Sequence, residues 1–311
     1  MPRRRDEMVP DAEFRSYYGQ PVIKPPIWHE PHMPTYLYLG GLSGAASTMA
    51  AVARLSGDRR LEFSSRLIAF AGGTAGAAFL VAELGRPERF LNMLRVFKTS
   101  SPMSVGSWTL AAQGGLTAVG AASAVTGVLP LVGDAASLAS GVTGTLMATY
   151  TAVLLADTAV PIWHEGRREL PFLFAGSAMA SAGGMAMLTT PRAQAGPARA
   201  ATVLGAAVET AAGAIMERRL GMLSEPYHSG KAGRLMRASR VLTAGGGLLA
   251  AVAGRSRALT ALSGLAVTAG ALCTRFAVLE AGRVSAVDPK YTVVPQRERL
   301  DAGRPASVPG R

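Results

Sequence analysis

The charged residues of this 311-residue chain are crowded into short clusters, and the stretches between them run for roughly 20 residues with almost none. Coiled as an α-helix at about 1.5 Å per residue, such a run matches the roughly 30 Å hydrocarbon core of a bilayer. Inside hydrocarbon every backbone N–H and C=O must be satisfied within its own segment, so these runs are committed to helices. Charged residues make up 17% of the chain, against about 25% in a soluble domain. The expected fold is an all-α integral membrane protein.

Eight segments qualify as spans, near residues 35–55, 62–83, 105–129, 136–160, 171–190, 198–217, 235–253 and 258–280. The first is no cleavable signal peptide, because it begins some 34 residues in and leads into further spans. Residues 1–33 are Pro-rich and charged and read as an extramembrane tail, as do residues 281–311. Small residues recur at four-residue spacing: Gly40 with Gly44, Gly72 with Gly76, Gly141 with Thr145. Lipid supplies no hydrophobic drive for helix association, so close packing through small side chains has to.

One cysteine, Cys273, rules out an internal disulfide, a thiolate zinc site and an iron-sulfur cluster held by this chain, each of which needs two to four sulfurs. No histidine lies in the middle third of a span, where a membrane cytochrome would hold haem, so no intrinsic haem is expected. The net charge of +12 would point to nucleic acid in a soluble chain; in a polytopic one it first reports topology. Of 32 Lys and Arg, 22 fall on the side holding both termini and 8 on the other. Both termini are therefore expected in the cytoplasm of a bacterial cell, the protein lying in the inner membrane.

All three tryptophans (Trp28, Trp108, Trp163) and all four histidines (His29, His32, His164, His228) fall on that same side. Trp at a boundary is ordinarily an interfacial anchor, but anchors are expected at both boundaries. The one-sided distribution marks a docking and reaction face. On it lies AELGRPERFLNMLRVFKTSSPMSVGSW, residues 82–108, which sets Glu83 at the membrane edge before a Gly-Arg-Pro turn. A short amphipathic stretch follows, with Phe90, Leu94 and Phe97 on its apolar side and Arg86, Arg89, Arg95 and Lys98 on its charged side. On physics alone it is an interfacial helix with snorkelling cations.

This segment, with PPIWHEPHMPTYLYLGGLSGAAS (25–47), YTAVLLADTAVPIWHE (150–165) and MERRLG (216–221), resembles the NrfD or polysulfide-reductase-type membrane subunits. The resemblance spans about residues 25–221 and is weak in the last two spans. It implies two four-helix bundles, the first over 34–165 with the quinone-site motifs and the second over 166–280. It also implies a membrane anchor and quinone-reactive subunit exchanging electrons with a ferredoxin-like iron-sulfur partner, which docks a molybdenum or tungsten catalytic subunit. The quinone, menaquinone or another, would be bound as substrate, and the redox centres would belong to the partners. In better-known relatives the partner sits outside the cytoplasm on the motif face, whereas here that face is the strongly basic one.

Ionisable residues within spans mark pathways or sites by default. Glu83 ends the second span, and the family motif places it beside the quinone; otherwise it caps the following turn. Asp157, near the end of the fourth, is a proton carrier or the partner of an interfacial Arg. Tyr150 lies seven residues before it, two turns along one helical face, and Tyr36 and His32 open the first span. In the quinone reading Tyr36 or His32 and Tyr150 donate to the two carbonyls, Glu83 and Asp157 relay protons, and Gly40 and Gly44 let the ring approach the backbone. Without a ligand, Tyr150 is core, and Tyr36 and His32 are interfacial anchors. Glu209 and Arg275 form a buried structural ion pair or serve proton transfer. Two other classes fit the helix count, a secondary transporter or proton-conducting module and a purely structural anchor. No paired helix interruptions of the transporter kind are visible in the two halves.

Overall fold

A computed structural model describes residues 21–85, 87–252, 254 and 256–303, of which the side chains of Pro87 and Arg89 are excepted. Readings that concern residues 1–20, 304–311, Arg86 and the Arg89 side chain lie outside the described residues. The described chain is helical throughout, with no strand. The long helices are α1 (His32–Ser56), α2 (Arg59–Glu83), α3 (Pro102–Thr126) and α4 (Pro130–Ala156). After the short α5 (Pro161–Glu165) come α6 (Leu170–Thr189), α7 (Gly196–Leu220), α8 (Gly230–Val252), α9 (Arg257–Val287) and the terminal α10 (Lys290–Asp301). Eight helices of 20 to 31 residues thus occupy the eight expected segments.

Five of them, α2, α4, α6, α9 and α7 continued to Tyr227, are long and apolar enough to cross a membrane by length and composition. Gly, Ser and Thr dilute α1 and α3, and Lys231, Arg234, Arg237 and Arg240 crowd the first half of α8. Local sequence sets the ends. Asp58 caps α2 by accepting from the Leu61 N–H at 3.1 Å, Ser101 caps α3 ahead of Pro102, and Gly57 and Gly127 close α1 and α3 at positive φ.

Packing is densest between α1 and both α2 and α4, between α3 and α4, between α6 and α7, and between α8 and α9, with α6 also on α9. Glycine seams explain the closest approaches. A Cβ on Gly44 would overlap the carbonyl of Gly144, and one on Gly205 of α7 would overlap the backbone of α6 at Ala180. Removing the side chain lets two backbones pass in van der Waals contact, which is where the association energy comes from in lipid.

The amphipathic stretch winds as a 3₁₀ helix over residues 87–94; Phe90 packs on the core, while Phe97, beyond the helix, is exposed and edge-on to Trp108 at 6.1 Å. Helix α9 continues to Val287, and α10 follows at once, its first turns packed on the molecule and its residues from 296 exposed. Tyr291 of α10 is buried in the main core cluster.

Candidate functional site

Glu83 is the last residue of α2, and its side chain is 9% exposed. It reaches across to the segment entering α1: Oε1 accepts the His29 backbone N–H at 2.8 Å and lies 3.2 Å from His29 Nδ1. Its other oxygen, Oε2, is 3.7 Å from His32 Nδ1 and buried without a hydrogen bond. The carboxylate therefore ties two chain segments together instead of capping its own turn. His32 sits against the Phe79 ring at 6.2 Å, and one turn on, Tyr36 is buried in the same core cluster as Phe79.

A second group forms between the start of α3 and the end of α4. There a cleft of about 650 Å³ is lined by Pro102, Val105, Tyr150, Asp157, His164 and Arg167, among others. Tyr150 and Asp157 share the α4 face that their spacing requires. The Tyr150 ring lies directly on Gly106, whose missing side chain makes the room, and its hydroxyl is buried with no partner. Asp157 is the exposed C-cap of α4. Among the described residues it makes no ion pair within 4 Å, so the Arg-paired alternative is not realised among them. Asp157 and His164 also line a neighbouring cleft of about 400 Å³ that reaches Tyr291 and Arg299.

The site expected from the sequence thus divides in two. Glu83, His32 and Tyr36 gather at the α1–α2 end; Tyr150 and Asp157 gather in the α3–α4 cleft. Tyr36 and Tyr150 meet in one hydrophobic cluster, Tyr150 packing on it from outside. Gly40 and Gly44 face α4: a Cβ on Gly40 would stand 3.0 Å from the Met147 Cε, and Gly44 is closed by Gly144. They bring α4 against α1, and Met147 and Gly144 fill the space beside them.

Glu209 and Arg275 do not form the ion pair expected of them. Both are buried, at 4% and 1% exposure, but each keeps separate partners. Glu209 Oε1 accepts from Thr274 Oγ1 at 2.6 Å. Arg275 donates to the Phe174 carbonyl at 3.1 Å and lies over the Phe174 ring at 3.7 Å.

Sequence reasoning missed three residues. His29 holds Glu83 more closely than His32 does, and His164 lines both clefts; each lay inside a quoted motif block but was read only as a marker of sidedness. Trp163 is fully buried, its indole donating to the Val278 carbonyl at 2.8 Å and stacking on Trp28 at 5.5 Å. It is a core residue, and no interfacial anchor. Among the described residues no group of three or more His, Cys, Asp or Glu is placed to hold a metal ion.

Apolar helices of this length and number define a multi-pass membrane protein. The family model for polysulphide reductase, NrfD, matches residues 21–223, and the chain belongs to that family. Its members are membrane subunits of polysulfide reductase-type complexes and typically partner with iron-sulfur and molybdenum subunits. The match covers α1 to α7 and ends before α8. No curated protein matches the chain.

Proposed function

We propose that the chain is the quinone-reactive membrane anchor of a multi-subunit oxidoreductase, exchanging electrons with an iron-sulfur partner docked on the face that carries Glu83, His164 and the three tryptophans. A molybdenum or tungsten subunit then supplies the substrate chemistry. In this reading the eight long helices all span the bilayer, as two four-helix bundles, α1–α4 and α6–α9.

The observation that carries the proposal is the α3–α4 cleft. It is apolar along most of its wall, and a buried Tyr150 hydroxyl without a partner and the Asp157 carboxylate stand in it two turns apart. A quinone needs that combination: an apolar slot for ring and tail, a donor at the carbonyl, and a carboxylate in reach of water. Reduction takes up two electrons and two protons, and oxidation releases them. The electrons pass to or from the partner's cluster. Tyr150 donates to one carbonyl oxygen, and Asp157, exposed at the mouth with His164 beside it, exchanges a proton with solvent. Glu83, with one oxygen held by His29 and the other free, is the second proton carrier, and His32 or Tyr36 is the donor on its side.

In the assembled complex, Glu83→Gln and Tyr150→Phe each lower quinone-linked turnover by at least about 100-fold, the lower range for removing a positioned proton-transfer group. Dye-linked activity and subunit assembly stay intact. Unchanged quinone-linked rates in both Glu83→Gln and Tyr36→Phe would move the site away from α1 and α2, and co-purified menaquinone separates this reading from a purely structural anchor.

A further inference from the structure

The geometry points to a proton half-channel in the α6–α9 half of the molecule, open to the basic face beside Glu217 and ending at Glu209, halfway along α7. This inference stands on a different part of the molecule from the quinone cleft and does not depend on it.

A cavity of about 200 Å³ runs between α7 and α8. Its outer wall carries Glu217 and Arg240, which are ion-paired; its inner wall carries Glu209, Ser239, Thr243 and Thr274. Glu209 and Glu217 are eight residues apart, about 12 Å of helix rise, so the cavity joins the membrane edge to mid-depth. Two polar atoms on its wall, Glu209 Oε2 and Thr243 Oγ1, are buried and have no hydrogen-bond partner. Buried polar groups are almost always satisfied; most of the cavity wall is apolar, but Glu209, Ser239, Thr243 and Thr274 cluster at its inner end and give a water there the polar partners it needs. Water entering from the Glu217 end would satisfy both.

Hydroxyls continue the route. Ser239 and Thr274 are 2.6 Å apart, and Thr274 donates to Glu209 Oε1 at 2.6 Å. With the Thr274 proton directed to Glu209 rather than to the Gly270 carbonyl 3.1 Å away, Ser239 donates to Thr274. This ordered chain holds one carboxylate oxygen and leaves the other facing the cavity to take a proton from water. Deprotonation returns the proton to the same water. Beyond Glu209 the path is shut. Arg275 of α9 lies against Phe174 with Nε and one terminal nitrogen unpartnered, and its fixed charge opposes passage of a further cation. Around Glu209 stand Ser177 of α6, Ser239 and Thr243 of α8, and Thr274 and Arg275 of α9; Arg275 is the one charge among them.

The test is infrared difference spectroscopy on the full-length chain in proteoliposomes, comparing H₂O with D₂O. A protonated carboxyl C=O band is expected that shifts on D₂O exchange and disappears in Glu209→Gln. Ala244→Leu, which fills the cavity from α8, should slow that exchange at least tenfold. The wild-type band carries the readout by itself, and Glu209→Asp, which displaces the band, stands in should Glu209→Gln not fold. A spectrum identical in wild type and Glu209→Gln would overturn the inference, because Glu209 would then be permanently ionised. A Glu209 band that does not exchange would overturn it equally, because the cavity would then be sealed from water.

Discussion

Trp163 and Gly282 show how tightly single residues are specified here. The indole lies flat against Gly282 of α9, where a Cβ would overlap the ring, and its N–H is spent on the Val278 carbonyl four residues earlier in the same helix. Gly282→Ala forces the ring or the helix aside, an overpacking cost of about 1–3 kcal/mol. The expected outcome is a clear fall in apparent melting temperature of the detergent-solubilised protein, followed by fluorescence-detected size exclusion; an unchanged midpoint would mean that the contact is loose. Restoring room through Trp163→Phe in the same background should recover part of the loss. The pair was illegible in the sequence, since 119 positions separate the two and a Trp near a span end looks like an anchor. The same limit applied to Glu83: its place at the end of α2 was readable, its grip on His29 was not, because nothing local to either residue encodes the other.

At the scale of elements, the segment leading into α1 acts as a strap over the basic face. Trp28 stacks on Trp163, His29 binds Glu83, and Glu30 pairs with Lys231 of α8 at 2.6 Å and with Arg283 of α9 at 3.0 Å. The stack is semi-buried, whereas the ion pairs are partly screened and worth up to about 1 kcal/mol each. Trp28→Ala should therefore free the strap more than Glu30→Gln. Hydrogen–deuterium exchange over residues 27–33 checks this, with the larger increase expected in Trp28→Ala; the reverse order would make the ion pairs the principal tether. The strap could not be read from composition, because a Pro-rich charged stretch looks the same whether it is tethered or not. Helices were more legible. All eight long ones fall on the sparsely charged segments of about 20 residues, where the helix that a hydrocarbon environment demands is expected. Glycine spacing located the α1 seam, but the partners of a seam are a tertiary fact, and Gly176 against Gly205 or Gly184 against Gly264 show no spacing signal that names the other helix. The Glu209–Arg275 pair was suggested by two opposite charges at similar depth, but Thr274 holds one Glu209 oxygen and Phe174 one Arg275 nitrogen, and neither partner is named by local sequence.

At the scale of the whole molecule, the distribution of basic residues sets which way it faces. If all eight long helices cross the bilayer, as proposed above, the start of α1 and the end of α9 lie on one side, together with α5 and α10. On the sequence count, that side is expected to carry 22 of 32 basic residues against 8 opposite. Many are paired in the structure: Arg219 with Glu169, Lys290 with Glu225, Arg299 with Glu165. Pairing does not weaken the inference, because orientation is fixed during insertion by Lys and Arg near the span ends, and acidic residues contribute little. The opposite side also neutralises its own cations, Arg54 and Arg66 both reaching Asp134, so net charge would discriminate less well than the basic count. Both termini are thus predicted to be cytoplasmic, and a partner docking on the face of Glu83 and Asp157 would be cytoplasmic with them. C-terminal fusions decide it: a fluorescent protein that matures only in the cytoplasm should be bright and an alkaline phosphatase inactive. Active phosphatase would reverse the orientation, and the basic residues of this face would then be a docking surface for an acidic partner outside the cytoplasm. Removing charge tests the cause. Replacing Lys231, Arg234 and Arg237 with Gln lowers the bias at the α8 boundary from 22 to 19 against 8, too little to invert the chain, so reporter activity should stay as it was. A flip with so small a change would mean that the first half of α8, and not the summed count, sets the topology.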